Sequence, residues 1–203
     1  MINKSVKVAG ATAALAIVLI MTAALVPGLS DRIAQGVALV ASSPGQGGFS
    51  LTDPAGKTVT DRDYRGRFML VFFGYTFCPD VCPTTLTVLA GALDRLAPAT
   101  AAKLVPIFIT LDPERDSPAV MGQYTAAFSP AIVGLTGSAD DLARVKQSYR
   151  VYSARVPGSA PDLYTIDHSA LLYLIGPDGR FRATLDPGHS AAELAAALTR
   201  AVE

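Results

Sequence analysis

Seven consecutive residues at 68–74, FMLVFFG, carry no polar side chain and end in a glycine four residues before the first of two cysteines. The run is short for a helix and lacks alternating polar positions, so it reads as a strand covered on both faces, of the kind found at the centre of an α/β sheet. LVPIFITL at 104–111 reads as a second buried strand, with Pro106 placing a distortion or a sheet edge at that end. FSLTDPAGKTV, beginning at Phe49, suggests two short strands about a Pro-Ala-Gly turn. Residues 84–97 put Leu86, Leu89, Leu93 and Leu96 on one helical stripe. Ser117-Pro118 opens a helix to about residue 128, 132–135 form a short strand, and Ser138 caps a helix with Leu142, Val145 and Tyr149 on one face. A strand at 151–156 and a turn at 157–161 follow. Strands at 170–175 and 181–185 flank Pro177-Asp-Gly. Ser190-Ala-Ala-Glu193 is a capping box before a closing helix with Leu194 and Leu198. This order implies an α/β sandwich, a mixed sheet flanked by helices.

The N-terminal part belongs to a different environment. VAGATAALAIVLIMTAALV at 8–26 runs for 19 residues without a charge, enough for a helix of about 28 Å against a hydrocarbon core of about 30 Å. That length favours an uncleaved signal anchor over a cleaved signal peptide, whose apolar region is shorter. Lys4 and Lys7 precede the span, and the positive-inside bias leaves the N-terminus in the cytoplasm and the rest outside it. The expected organisation is an anchor at 1–30, a flexible linker at 31–48 containing ASSPGQGG, and a globular domain at 49–203. The location is then a bacterial inner membrane, crossed once, with the domain in the periplasm. Without residues 1–30 the chain holds 15 basic and 17 acidic residues, a net of −2. A mildly acidic domain with no basic stripe excludes a nucleic-acid partner.

Cys78-Pro-Asp-Val-Cys82 follows the first buried strand and leads into a helix. A helix N-terminus favours thiolate over thiol, the form that binds soft metals and attacks disulfides. Three uses compete: a structural disulfide, catalytic dithiol exchange, and ligation of a metal. A bridge across so short a loop restrains little chain entropy, and exchange enzymes usually separate their cysteines by two residues. Two thiolates are soft donors suited to Cu(I), with an imidazole as a reasonable third. Spacing alone leaves these readings open. Of the two histidines, His189 precedes the final capping box and reads as an ordinary surface residue. His168, in what reads as a polar turn before a buried strand, could approach the first strand, with Asp167 orienting its ring.

GYTFCPDVCPTTL at 74–86, LDPERDSP at 111–118 and YTIDHSALLYLIGPDGRF at 164–181 together resemble the SCO/SenC family of copper-binding, membrane-anchored, thioredoxin-like proteins. Order and spacing match across about residues 49–200, and the N-terminal anchor is typical of that family. The resemblance implies a thioredoxin-like fold, with Cys78, Cys82 and His168 as ligands of copper, as Cu(I) and in a second state Cu(II). It also implies delivery of copper to, or preparation of the thiols of, the binuclear copper A site on subunit II of cytochrome c oxidase. Other periplasmic copper chaperones or thiol reductants would be further partners. A thiol–disulfide reductase acting through Cys78 and Cys82, or a copper or redox sensor, are the alternatives.

Several residues test that resemblance. No proline stands between Pro161 and Pro177, where thioredoxin-like reductases carry one facing the cysteines, and His168 stands roughly in that place. Peroxidase chemistry would want Thr or Ser three residues before its cysteine, and those positions are Tyr75 and Pro79. Asp80 could add an oxygen donor to Cu(II). Asp112, Arg115 and Asp116 are read first as turn and cap residues, with support of the cysteine loop or partner docking as the second use.

Overall fold

The structure, a computed structural model, describes residues 48–159, 163–188 and 190–202. The expected anchor and linker and His189 lie outside the described residues. Among the described residues, no helix is long and apolar enough to cross a membrane. The chain forms β1 (Ser50–Thr52), β2 (Thr58–Thr60), a 3-10 turn (Asp61–Tyr64), β3 (Phe68–Gly74), α1 (Val81–Leu93), α2 (Pro98–Ala101) and β4 (Leu104–Thr110). It continues through α3 (Pro118–Ala126), β5 (Val133–Leu135), α4 (Ala139–Tyr149), β6 (Ser153–Pro157), β7 (Tyr164–His168), β8 (Leu172–Ile175), β9 (Phe181–Leu185) and α5 (Ala191–Val202).

Five strands form the central sheet in the order β5-β4-β3-β8-β9, with β3, β4 and β5 parallel, β8 antiparallel to β3, and β9 antiparallel to β8. The FMLVFFG strand therefore sits in the middle, as its composition required. Its side chains divide by the two-residue period of a strand. Met69, Val71 and Phe73 pack with Leu51, Val59, Leu142, Val145 and Tyr149, below the β1–β2 hairpin and α4. Leu70 and Phe72 pack with Leu86, Leu89, Met121, Leu194 and Leu198, below α1, α3 and α5. Burying each such side chain contributes about 1.5–3 kcal/mol, so both layers are needed to hold β3. At Pro106 the strand β4 has a neighbour only on the β3 side, because β5 begins pairing at Ile107. The missing N–H is thus tolerated where the sheet has an edge.

Two elements beside the cysteines and His168 differ from their sequence reading. α1 begins at Val81, three residues earlier than the leucine stripe indicated, with the Thr84 amide donating to the Asp80 carbonyl at 3.1 Å. Pro83 lies in the first turn, where an amide has no intrahelical acceptor and proline is tolerated. Cys82 is consequently a helical residue. The same helix ends at Leu93 and tightens, with the Arg95 amide on the Ala92 carbonyl and the Leu96 amide on that of Leu93, which keeps Leu96 buried beyond the α-helical span. The segment 164–168, expected as a turn, is the strand β7. Tyr164, Ile166 and His168 are partly buried while Thr165 and Asp167 are exposed, a period-two pattern that its polar composition concealed.

Gly74 closes β3 at a place where a side chain has no room. A Cβ there would lie 2.5 Å from Cys82 Sγ and 2.7 Å from the Phe108 ring. Gly74→Ala is expected to displace the Cys82 sulfur and destabilise the reduced protein by roughly 1–3 kcal/mol, the cost of overpacking a filled core. Urea denaturation against wild type measures it.

Candidate metal centre

The central strand delivers the chain to the upper end of the sheet, where it turns sharply. The Cys78 amide donates to the Tyr75 carbonyl at 3.2 Å, and the Cys82 amide, in the first turn of α1, points at Cys78 Sγ at 3.4 Å. His168 arrives from the end of β7. One donor atom each of Cys78, Cys82 and His168 lies within 4.8 Å of the others, and Cys82 Sγ is 3.5 Å from His168 Nε2. Cys82 is fully buried, while Cys78 and His168 are partly buried. The latter two line a cleft of about 290 Å³ with Tyr75, Asp80, Ile166 and Asp167.

The imidazole is oriented by its neighbours. Its Nδ1 is 3.1 Å from the Ser169 carbonyl, which assigns the proton to Nδ1 and turns the Nε2 lone pair towards the sulfurs. The rings of Tyr75 and Phe72 flank it at 6.0 and 6.3 Å. Asp167, expected to orient this ring, is exposed and alternates to the other side of β7. The backbone carbonyl of Ser169 takes that part instead. Asp80 holds the N-cap position of α1 and accepts the Thr84 hydroxyl at 3.3 Å. Among the described residues no carboxylate joins the three-residue donor group.

The two thiols are electrostatically unequal. Cys78 is lowered to about 4, chiefly by the hydrogen bond from the Cys82 side chain, with the backbone amides of Cys82 and Asp80 adding to it against the effect of burial. Cys82 is raised by the same hydrogen bond and by burial. The metal-free pair therefore holds one proton, on Cys82, and presents Cys78 as a thiolate at the cleft. Both are free cysteines here.

The LDPERDSP segment serves both of its expected uses. Ser117 Oγ accepts from the Val120 amide at 3.4 Å and Pro118 begins α3. Asp116 is buried and accepts from the Thr76 hydroxyl at 2.5 Å, the Thr76 amide at 3.1 Å and the Thr110 hydroxyl at 2.5 Å. That carboxylate pins the cysteine loop two residues before Cys78. Burial raises its pKa while the three hydrogen bonds oppose the rise. Asp112, also buried, pairs with Arg115 and accepts the Tyr164 hydroxyl at 2.7 Å. Sequence reasoning missed Tyr75, whose hydroxyl accepts the Ile166 amide at 3.1 Å, as well as Thr76, Tyr164 and Ser169. The alternation in β7 was the available signal for Tyr164. Nothing in local spacing distinguishes Tyr75 or Thr76.

The donor set suits a soft cation. First-row metal–sulfur bonds are about 2.3 Å, so three donors in a plane about one ion stand about 4.0 Å apart. The three atoms, within 4.8 Å of one another, need to close by less than about 1 Å. Two thiolates and one imidazole are the ligands that Cu(I) prefers. The same two sulfurs can instead be oxidised to a disulfide.

Comparison with known proteins finds relatives solved with copper bound. The family model described as SCO1/SenC matches residues 39–203. The chain is similar to the mitochondrial SCO1 homolog of Homo sapiens, 40% identical over 153 residues that cover 75% of this chain and 51% of that protein. It spans roughly half to two thirds of the length of such curated relatives. Among solved structures it resembles Bradyrhizobium japonicum ScoI with copper bound, 46% identical with a TM-score of 0.72, covering 78% of this chain and 99% of that one. Yeast Sco1 with copper bound is 36% identical with a TM-score of 0.71, covering 78% and 87%.

The inequality of the thiols sets a reactivity order. A group whose pKa is lowered to about 4 stays deprotonated at all pH values above that, whereas an ordinary cysteine loses its thiolate below about 8.5. Alkylation of the reduced, metal-free protein by iodoacetamide is expected to modify Cys78 with little change in rate from pH 8 to pH 6. Cys82 stays unmodified until the protein unfolds. Peptide mass mapping of the labelled sites checks both.

Proposed function

Because the chain belongs to the SCO1/SenC family, we propose that it is a copper metallochaperone whose Cys78, Cys82 and His168 hold Cu(I) for transfer. The observation that carries this reading is the convergence of two sulfurs and one Nε2 within 4.8 Å at the edge of an open cleft. Copper-bound relatives of the same fold support it. A low-coordinate site with two donors facing the cleft permits exchange, since an incoming thiolate can bind before a resident donor leaves. Cys78 and His168, which line the cleft, are the donors that an acceptor displaces first. Cys82, buried beneath them, releases last. The acceptor is subunit II of cytochrome c oxidase, at its copper A site, with periplasmic copper chaperones or thiol reductants as suppliers. Residues 8–26 tether the protein to the inner membrane with the domain in the periplasm.

A second reading is favoured by one observation, the pairing of an accessible thiolate with a buried thiol. In it the Cys78 thiolate attacks a disulfide of subunit II and expels one acceptor thiolate. Cys82, after losing its proton, then attacks Cys78 Sγ and expels the reduced acceptor. Two electrons pass from this chain to the acceptor and a Cys78–Cys82 disulfide remains. His168 separates the readings, because exchange does not need a third donor.

Competitive Cu(I) titration of the reduced protein decides between them. Cys78→Ser, Cys82→Ser and His168→Ala are each expected to lower affinity by roughly 100-fold or more, at or beyond the upper end for residues that merely support a ligand. Unchanged affinity in His168→Ala and in Cys78→Ser removes the chaperone reading. Copper entry expels the single proton on Cys82, so affinity should rise with pH, by roughly tenfold per unit between pH 7 and 9. For the tether, the full chain is expected to stay in the membrane pellet after an alkaline carbonate wash, and residues 31–203 alone in the supernatant. Release of the full chain would exclude an anchor.

A further inference from the structure

His168 reaches the sulfurs although the strand that carries it makes no ladder with the central sheet. Among the described residues β7 pairs only with β6, and an isolated two-stranded hairpin is marginal in water. Backbone pairing therefore does not place the imidazole, and side chains must. On the C-terminal side, three residues separate His168 from Leu172, which is locked into β8. On the N-terminal side the ties are the Tyr75 hydroxyl, which accepts the Ile166 amide at 3.1 Å, and Arg115.

Arg115 touches both halves of the site. Its Nε pairs with Asp112, its Nη1 donates to the Tyr164 carbonyl at 3.3 Å, and its guanidinium carbon lies 3.7 Å from the centre of the Tyr164 ring. Tyr164 in turn donates its hydroxyl to the other oxygen of Asp112 at 2.7 Å. Asp112, Arg115 and Tyr164 thus form a closed triangle in which each member holds the other two, and Asp112 is buried. The same guanidinium also meets the cysteine loop. Phe77, the residue before Cys78, has its ring centre 4.7 Å from the same carbon, and that of Tyr75 is 5.7 Å away. Arg155 covers the outer side of Tyr164 at 3.5 Å, but it is half exposed and paired with an exposed Glu114, an arrangement of little energetic weight.

We infer that Arg115 is a positioning residue: it clamps the head of β7 to the cysteine loop and so keeps the His168 imidazole within reach of the two sulfurs. A planar guanidinium can pair with a carboxylate at its edge while stacking on aromatic rings. An ammonium cannot do both. The inference rests on the copper reading for its consequence and on the apo geometry for its cause, and the two are tested separately.

In the reduced, metal-free protein, Arg115→Lys is expected to speed hydrogen exchange of the Ile166 amide by roughly tenfold or more while the β3 amides keep their protection. Unchanged Ile166 exchange overturns the clamp. If β3 exchange also rises, the variant is unfolding, and Tyr164→Phe, which removes only the hydroxyl tie to Asp112, decides by the same amide. For the copper arm, Arg115→Lys should lower Cu(I) affinity roughly tenfold, as loss of a ligand-supporting residue does, and should cost nothing further in a His168→Ala background. Equal losses in both backgrounds overturn a role exerted through the imidazole. Wild-type protein that binds Cu(I) without a nitrogen donor in X-ray absorption refutes the copper reading instead, and leaves the exchange arm standing.

Discussion

The close approach of two unequal thiols is the constraint on which the site depends. It exists because β3, buried on both sides, ends at a glycine whose missing side chain leaves space for Cys82 Sγ. Any larger residue would push the helix start outward and separate the sulfurs. With the space open, the first turn of α1 lies directly over the strand end and its amides face Cys78. One cysteine is then stabilised as an anion at the cleft and the other is kept protonated in the core. Metal entry and disulfide formation both begin from that state, and both consume the same two sulfurs, so each excludes the other. Copper held through both sulfurs requires the reduced pair.

Around this pair the molecule is assembled in two different ways. The cysteines are held by regular structure, a central strand and a helix packed under Leu86 and Leu89. The imidazole is held by individual side chains. Tyr75 accepts the Ile166 amide, Ser169 fixes the ring through its carbonyl, and Asp112 with Arg115 grips Tyr164. A donor that must be displaced by an acceptor is better carried on such a hairpin than on the sheet, because it can move without breaking the core. The buried carboxylate of Asp116 supplies the complementary rigidity by holding Thr76 and hence the cysteine loop.

Much of the fold was legible because its signals are local. Continuous apolar runs marked β3 and β4, and the caps at Ser117, Ser138 and Ser190 were read from residue type and appear as hydrogen bonds to the Val120, Asp141 and Glu193 amides. The failures were also local in origin. The leucine stripe located the buried face of α1 but not its first turn, which carries Cys82 rather than leucine. β7 was taken for a turn because Asp167, His168 and Ser169 read as a polar loop, although Tyr164 and Ile166 alternate with exposed Thr165 and Asp167. Asp167 was chosen to orient His168 because it is its neighbour in sequence, yet neighbours in a strand face opposite ways.

Sequence by itself determined the candidate donors, the chemistry open to them and the layers of the fold, since thiolate softness, hydrophobic periodicity and capping are properties of residue type and spacing. Tertiary structure alone decided that an imidazole 86 residues from Cys82 meets its sulfur at 3.5 Å, which of the two thiols holds the proton, and which remote groups support the site. Those outcomes depend on burial and on distances between elements far apart in the chain. No local pattern encodes them, because desolvation and through-space hydrogen bonding arise only once β3, α1 and β7 have been brought together.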